Sequence, residues 1–164
     1  MRALLAALAL VFAASSTFAQ APATPPEPKL FASAADVTAL IANAKKERKP
    51  DQANFAQPIL RLAPYNANLE YRVAGVNAPA SVHEKEAEMF FVVEGSGTLV
   101  TGGKLKEERR TNPENLSGTG IDGGTRKRVT KGDFVMVPEG VPHWFGEIDG
   151  ALVLMSIHLP HAPR

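Results

Sequence analysis

The alternation of apolar and polar positions divides the chain into stretches of different grammar. Residues 3–14 are an unbroken apolar run, which Ser15, Ser16 and Thr17 end. Between Ser33 and Lys49, Val37, Leu40, Ile41 and Ala44 recur at helical spacing, so a helix over 33–49 presents one apolar stripe. Ser33 and Asp36 fit a capping box with Ser33 as N-cap. Lys45, Lys46, Arg48 and Lys49 gather at the end where the helix dipole favours cations, and Pro50 stops the helix. That basic cluster reads as a solvated helix end.

From about Gln57 the grammar is β. Runs rich in Val, Ile, Leu, Phe and Tyr are separated by Gly, Pro, Asn and Asp. Strands are expected over 58–63, 69–74, 81–83, 88–93, 97–101, 126–130, 133–137, 143–145 and 151–158. No helices alternate with them, which disfavours a parallel α/β fold and points to an all-β sandwich or barrel. Met89-Phe90-Phe91-Val92-Val93 is apolar on both faces, so that strand is expected to be covered on both sides, by the core and by a second sheet or a partner subunit. Glu94-Gly95-Ser96-Gly97 reads as a tight turn between antiparallel strands. Residues 101–124 are the least regular part and long for a hairpin connection, as a working loop would be. Asn115-Leu116-Ser117 matches the short glycosylation acceptor pattern, a weak signal.

The chain has 164 residues, enough for one domain. Arg2, the apolar run and the small residues after it read as a secretory signal peptide over 1–19, with an alternative cut after Ala21. The run is too short for a comfortable membrane span, so no stable membrane anchor is expected. Pro22, Pro25, Pro26 and Pro28 mark 20–32 as an extended linker, and the barrel is expected over 57–160. Of 18 basic residues only Arg2 leaves with the leader, so 17 remain against 17 acidic ones. A balanced charge gives no field to attract nucleic acid. The chain has no cysteine, so disulfides are excluded and any metal ligands must come from His, Asp or Glu. From such a leader the mature protein is expected in a bacterial periplasm or outside the cell.

Candidate chemistry lies in two blocks, Gly75 to Gly95 and Gly132 to His143. Val82 and His83 end one strand and Glu88 begins the next, so a short bend lets His83 and Glu88 face one interior. His143 follows the turn Gly140-Val141-Pro142, which can launch it into the same cavity. Two imidazoles and a carboxylate are a recognised ligand set for a divalent metal, and on one face they leave positions open for water, substrate or oxygen. Fe, Mn, Zn, Ni and Co all accept such ligands. Without metal, the same residues make a hydrogen-bonded polar cluster in which protonated histidine satisfies the carboxylate.

These blocks resemble the two motifs of the cupin superfamily. In the first, Gly75, His83, Glu88 and Gly95 fall in register; in the second, Gly132, Pro138, Gly140 and His143 do. The resemblance covers roughly 75–147. It implies a cupin double-stranded β-helix, a jelly-roll-like barrel, here with a short N-terminal helix, and a homodimer as the family's habit. It also implies metal ligation by both first-motif histidines, the Glu and the second-motif His. Two positions depart: Ser81 stands where the family has its first histidine, and Glu147 where it has a closing Asn. Carried over, the metal ligands are His83, Glu88 and His143. The expected function is a metal-dependent enzyme on a small organic molecule, of oxygenase, isomerase or lyase type, with Glu147 or His158 as base if either faces inward. The alternatives are a non-catalytic periplasmic binder or sensor of a small ligand, and an interaction protein working through 101–124. Among the other candidates, Glu84, Lys85 and Glu86 read as exposed turn charges, His158 as a core-edge histidine and His161 as solvated. Tyr71 and Arg72, like Trp144 and Phe145, point to opposite faces, so at most one of each pair reaches the cavity.

Overall fold

A computed structural model describes residues 27–161, so the leader and most of the linker lie outside the described residues. The helix forms as its pattern requires. α1 spans Ala34–Glu47; the Asp36 N–H donates to the Ser33 hydroxyl, and the Ser33 N–H donates back to the Asp36 carboxylate. Its buried residues, Ile41 and Ala44, lie on the predicted stripe. Within the expected linker, Lys29 is tied to Arg61 by a pair of backbone hydrogen bonds.

The rest is β: β1 (Asn54–Leu62), β2 (Tyr65–Val73), β3 (Ala80–His83), β4 (Glu86–Thr101), β5 (Lys104–Lys106), β6 (Arg109–Asn112), β7 (Asn115–Gly118), β8 (Gly120–Asp122), β9 (Thr125–Thr130), β10 (Phe134–Val137), β11 (His143–Gly146) and β12 (Ala151–Pro160). Every pairing is antiparallel, and the sheet runs β1-β2-β12-β4-β11-β3-β7-β6 with β10 and β9 also on β4. The antiparallel all-β barrel expected from the sequence, with a short N-terminal helix, is the fold observed.

Two local readings are corrected. The segment 88–101 is not a hairpin. It is one strand of 16 residues that changes partners midway. Its first half pairs with β12 and β10, its second with β11 and β9. The change falls at Gly95, whose φ is +79° and where a Cβ would stand 1.9 Å from the Ala151 carbonyl oxygen. Glycine here bends a strand round the barrel corner and lets β12 approach. A slip in register opposite Val153 and Leu154 marks the same corner. The second correction concerns 101–124, which is not loop but β5 to β8. β7 pairs with β3, β6 with β7, and β5 with β8. β6 is exposed throughout, β5 is Lys-Leu-Lys, and β7 and β8 carry Gly118 and Gly120, so these short strands lack the run of alternating apolar residues that announces a half-buried strand.

The apolar residues fall into two cores. Inside the barrel, Phe90, Val92, Leu99, Val129, Val137, Phe145, Leu152 and Leu154 are buried together. Outside, α1 covers Ile59, Ala67, Leu69, Tyr71 and Val153 of β1, β2 and β12. This explains the two-sided apolar strand only in part. Phe90 and Val92 face the inner core and Val93 packs toward the outer one, but Phe134 and Met136 on neighbouring β10 are 69% and 54% exposed.

Candidate metal centre

The apolar interior fills one part of the barrel and gives way to histidine and carboxylate at the other. Phe90 is the boundary: its ring lies 4.9 Å from Phe145 and 5.9 Å from the His143 imidazole, centroid to centroid. Glu88 precedes Phe90 by two residues on β4 and so faces the same interior, where it is 3% exposed.

Three elements bring the predicted residues together. His83 ends β3 and His143 begins β11. The Gly140 N–H donates to the His83 carbonyl at 2.7 Å, which pins the turn of the second sequence block to the last residue of the strand that ends in His83. His83 Nε2 and His143 Nε2 stand 3.2 Å and 3.1 Å from the same carboxylate oxygen, Glu88 Oε2. Ser81 lies opposite His143 in the ladder and shares the His83 face of β3.

Three further side chains join the site: His158, expected as a core-edge histidine or an inward-facing base, and Glu86 and Asn115, which the sequence did not place here. His158, cross-strand neighbour of Glu88, places Nε2 3.3 Å from the other carboxylate oxygen, Oε1. Its Nδ1 stands 2.9 Å from Glu86 Oε2, so Glu86 is half-buried and engaged rather than an exposed turn charge. Asn115 Oδ1 is 2.7 Å from His83 Nδ1, so the glycosylation pattern falls on a half-buried residue that braces the site. Alternation on β12 was a usable signal for His158: Leu152, Leu154 and Ser156, on its face, are all buried. Nothing in the sequence pairs Asn115 with His83, because 32 residues separate them.

The remaining candidates lie elsewhere. Glu147, with φ +47°, points outward, where it accepts from Thr98 at 2.7 Å and pairs with Arg126, so it is not a base for the interior. Arg110 pairs with Glu84 and Lys85 with Glu114 at the surface, and His161 meets Glu139. Of Tyr71 and Arg72 it is Arg72 that turns inward, donating twice to Glu70 and lying 5.3 Å over the Phe145 ring. Of Trp144 and Phe145 it is Phe145; Trp144 donates to the Ala78 carbonyl on the outside. A cleft of about 440 Å³, lined by Glu84, Lys85, Glu86, Glu114, Glu139, Pro160 and His161, adjoins the site through Glu86.

Burial by itself pushes the Glu88 carboxyl up. Hydrogen bonds from His143 and His83, with the charges of His143 and His158, outweigh it and hold the group at about 2. Burial pushes the His83 imidazole down, but its hydrogen bonds to Glu88 and Asn115 raise it above its ordinary value.

The donor set fits a divalent cation. The Val141 carbonyl and the Glu86 carboxylate can only accept, so Nδ1 of His143 and of His158 carries the proton at 3.2 Å and 2.9 Å respectively. In a neutral imidazole that leaves Nε2 a lone pair, and both lone pairs then face carboxylate oxygens. Such an array is held by extra protons or by a cation among its donors. Anchoring Nδ1 so that Nε2 is presented to metal is the usual arrangement around ligating histidine.

Comparisons place this geometry in a known fold. A DMSP lyase from Ruegeria pomeroyi is similar over 86% of this chain and 70% of its own, with 17% identity and a TM-score of 0.54. A Bacillus halodurans protein is similar over 84% of this chain and 86% of its own, with 17% identity and a TM-score of 0.53. The cupin domain of Schizosaccharomyces pombe Cnp3 matches 71% of this chain and 72% of its own at 14% identity, with a TM-score of 0.51. No curated protein matches the chain. The family model for Cupin does match, over residues 53–161, and with the barrel and its two motif blocks joined at one site the chain belongs to the cupin family.

Proposed function

We propose that this cupin is an exported, metal-dependent enzyme acting on a small organic molecule, with His83, Glu88 and His143 holding a divalent cation. The observation that carries the reading is the approach of two imidazole Nε2 atoms to one buried carboxylate oxygen, at 3.1 Å and 3.2 Å. A divalent cation held by these residues would supply Lewis-acid polarisation of a substrate oxygen. The chain's own residues do the rest. Asn115 and Glu86 fix imidazole orientation, Phe90 and Phe145 close the floor against water, and the cleft beside Glu86 is of a size for a small ligand. Oxygenation, isomerisation and lyase chemistry are all open to such a site, since fold does not choose among them. The leader-like residues 1–19 support a periplasmic or secreted location. The exposed Phe134 and Met136 support a homodimer through the uncovered face of β10.

Metal analysis of the mature chain, purified without a histidine tag, tests the reading. Bound Fe, Mn, Ni or Zn at one ion per chain is expected, lost in both Glu88→Ala and His143→Ala. A chain that neither carries these metals nor takes them up sinks the proposal. Metal binding without turnover across small-molecule panels leaves a non-catalytic binder.

A further inference from the structure

Ser81 removes one imidazole from the ligand set that the cupin resemblance implies, and the structure holds a histidine that the two motif blocks do not contain. We propose that His158, on the last strand of the barrel, supplies the metal ligand that position 81 lacks, so that the centre is His83, Glu88, His143 and His158. The proposal rests on the metal reading above and adds the fourth ligand to it.

Position, aim and support all bear on His158. On β12 it stands directly across from Glu88, whose other ladder partner is Val137 of β10. Its Nε2 is 3.3 Å from Glu88 Oε1, while His83 and His143 take Oε2, so imidazoles approach both oxygens. Donor atoms of His83, Glu88 and His158 all lie within 4.8 Å of one another, close enough to share one ion, while His143 is outside that group and joins the centre through its 3.1 Å approach to Glu88. The rings of His83 and His158 meet edge to face with centroids 4.8 Å apart, so the two imidazoles are packed against each other. Glu86 then acts as a positioning residue: its carboxylate, 2.9 Å from Nδ1, holds the proton there and keeps Nε2 for the metal. A His158 that only bridges Glu86 and Glu88 by hydrogen bonds satisfies the same distances without metal. Loss of a histidine that serves only as that bridge would not weaken metal binding, and the two roles are therefore separable.

The probe is Co(II), whose visible spectrum reports its ligand set and whose affinity is read by calorimetry on the mature chain. His158→Ala is expected to weaken Co(II) binding at least about tenfold, the least that losing even an outer-shell partner costs, and to alter the visible bands. His158→Gln, which keeps a polar side chain of similar reach, should behave alike, with thermal melting confirming that both variants fold. Glu86→Gln should weaken binding with little change in the bands, since the ligand atoms stay the same. Ser81 shares the His83 face of β3, so Ser81→His in the His158→Ala background should return affinity to within about threefold of the parent. Affinity and spectrum unchanged in both His158 variants overturn the proposal, as does a double variant no tighter than His158→Ala. If the parent chain itself binds no Co(II), the metal reading falls and this inference with it. If the parent binds and the His158 variants match it, only the fourth ligand is wrong.

Discussion

Glu88 concentrates the chemistry of this protein in one side chain. A carboxylate 3% exposed is stable only with partners, and here all of them are imidazoles. Glu88→Gln keeps the shape and removes the charge; it is expected to lower metal affinity by more than the roughly 10–100-fold that an outer-shell loss costs, measured by calorimetry. Asn115→Ala removes a brace and not a ligand, so its effect should fall within that range. Glu147 is the contrasting case. It matches a motif position, yet Thr98 and Arg126 engage it on the outside and hold its carboxyl below the usual range. Glu147→Gln should leave the metal content and the pH profile of any activity unchanged.

At the scale of elements, β4 decides the architecture. It belongs to both walls of the barrel, and Gly95 is where it crosses between them. Gly95→Ala adds a Cβ against the Ala151 carbonyl at a positive φ, and should cost more than about 2 kcal/mol in chemical denaturation. Truncating Phe90 empties the floor between the core and the site. Phe90→Ala should cost about 3–5 kcal/mol and loosen the metal with it. Helix, strands and punctuation glycines were legible because each has a local signature: a cap, a period or a turn residue. The short strands β5 to β8 were not, since charged exposed residues such as Arg109 and Arg110 form strands here only because β7 finds β3. The hairpin expected at Glu94 to Gly97 failed for a related reason. A glycine that turns a strand back and one that bends it onward look alike in sequence, and partners on both halves choose between them.

For the whole molecule, the cluster makes the stability of the metal-free fold depend on pH. Glu88, held at about 2 against 4.5 for a free carboxyl, stabilises the metal-free fold above about pH 4.5, and this is lost as pH falls toward 2. His83, raised above 6.5, stabilises it below that value, and the contribution is lost as pH rises through the raised pKa. The cluster therefore favours the metal-free fold most between about pH 4.5 and 6.5. Metal competes with those protons, so the rise in Tm on adding Zn(II) should be larger near pH 8 than near pH 6 in calorimetric scans. The second whole-molecule expectation concerns assembly. Sedimentation should show a dimer that Phe134→Asp with Met136→Lys converts to monomer; an unaltered dimer would place the interface elsewhere.

The sequence by itself determined the β character, the capped helix, and the two blocks that bring His83, Glu88 and His143 to one place. The β character and the helix follow from local periodicity and capping, and the convergence of the three residues is what the resemblance of the two blocks to the cupin motifs implies. Only the tertiary structure decided that Glu147 faces outward, that Arg72 and not Tyr71 faces inward, and that His158, Glu86 and Asn115 join the site. Glu86 and His158 are 72 residues apart, and Asn115 lies in a segment with no strand signature of its own. What unites them is the pairing of β12 with β4 and of β7 with β3. That pairing is set by how the barrel closes over its apolar core, an outcome of all the strands together that no single stretch of sequence carries.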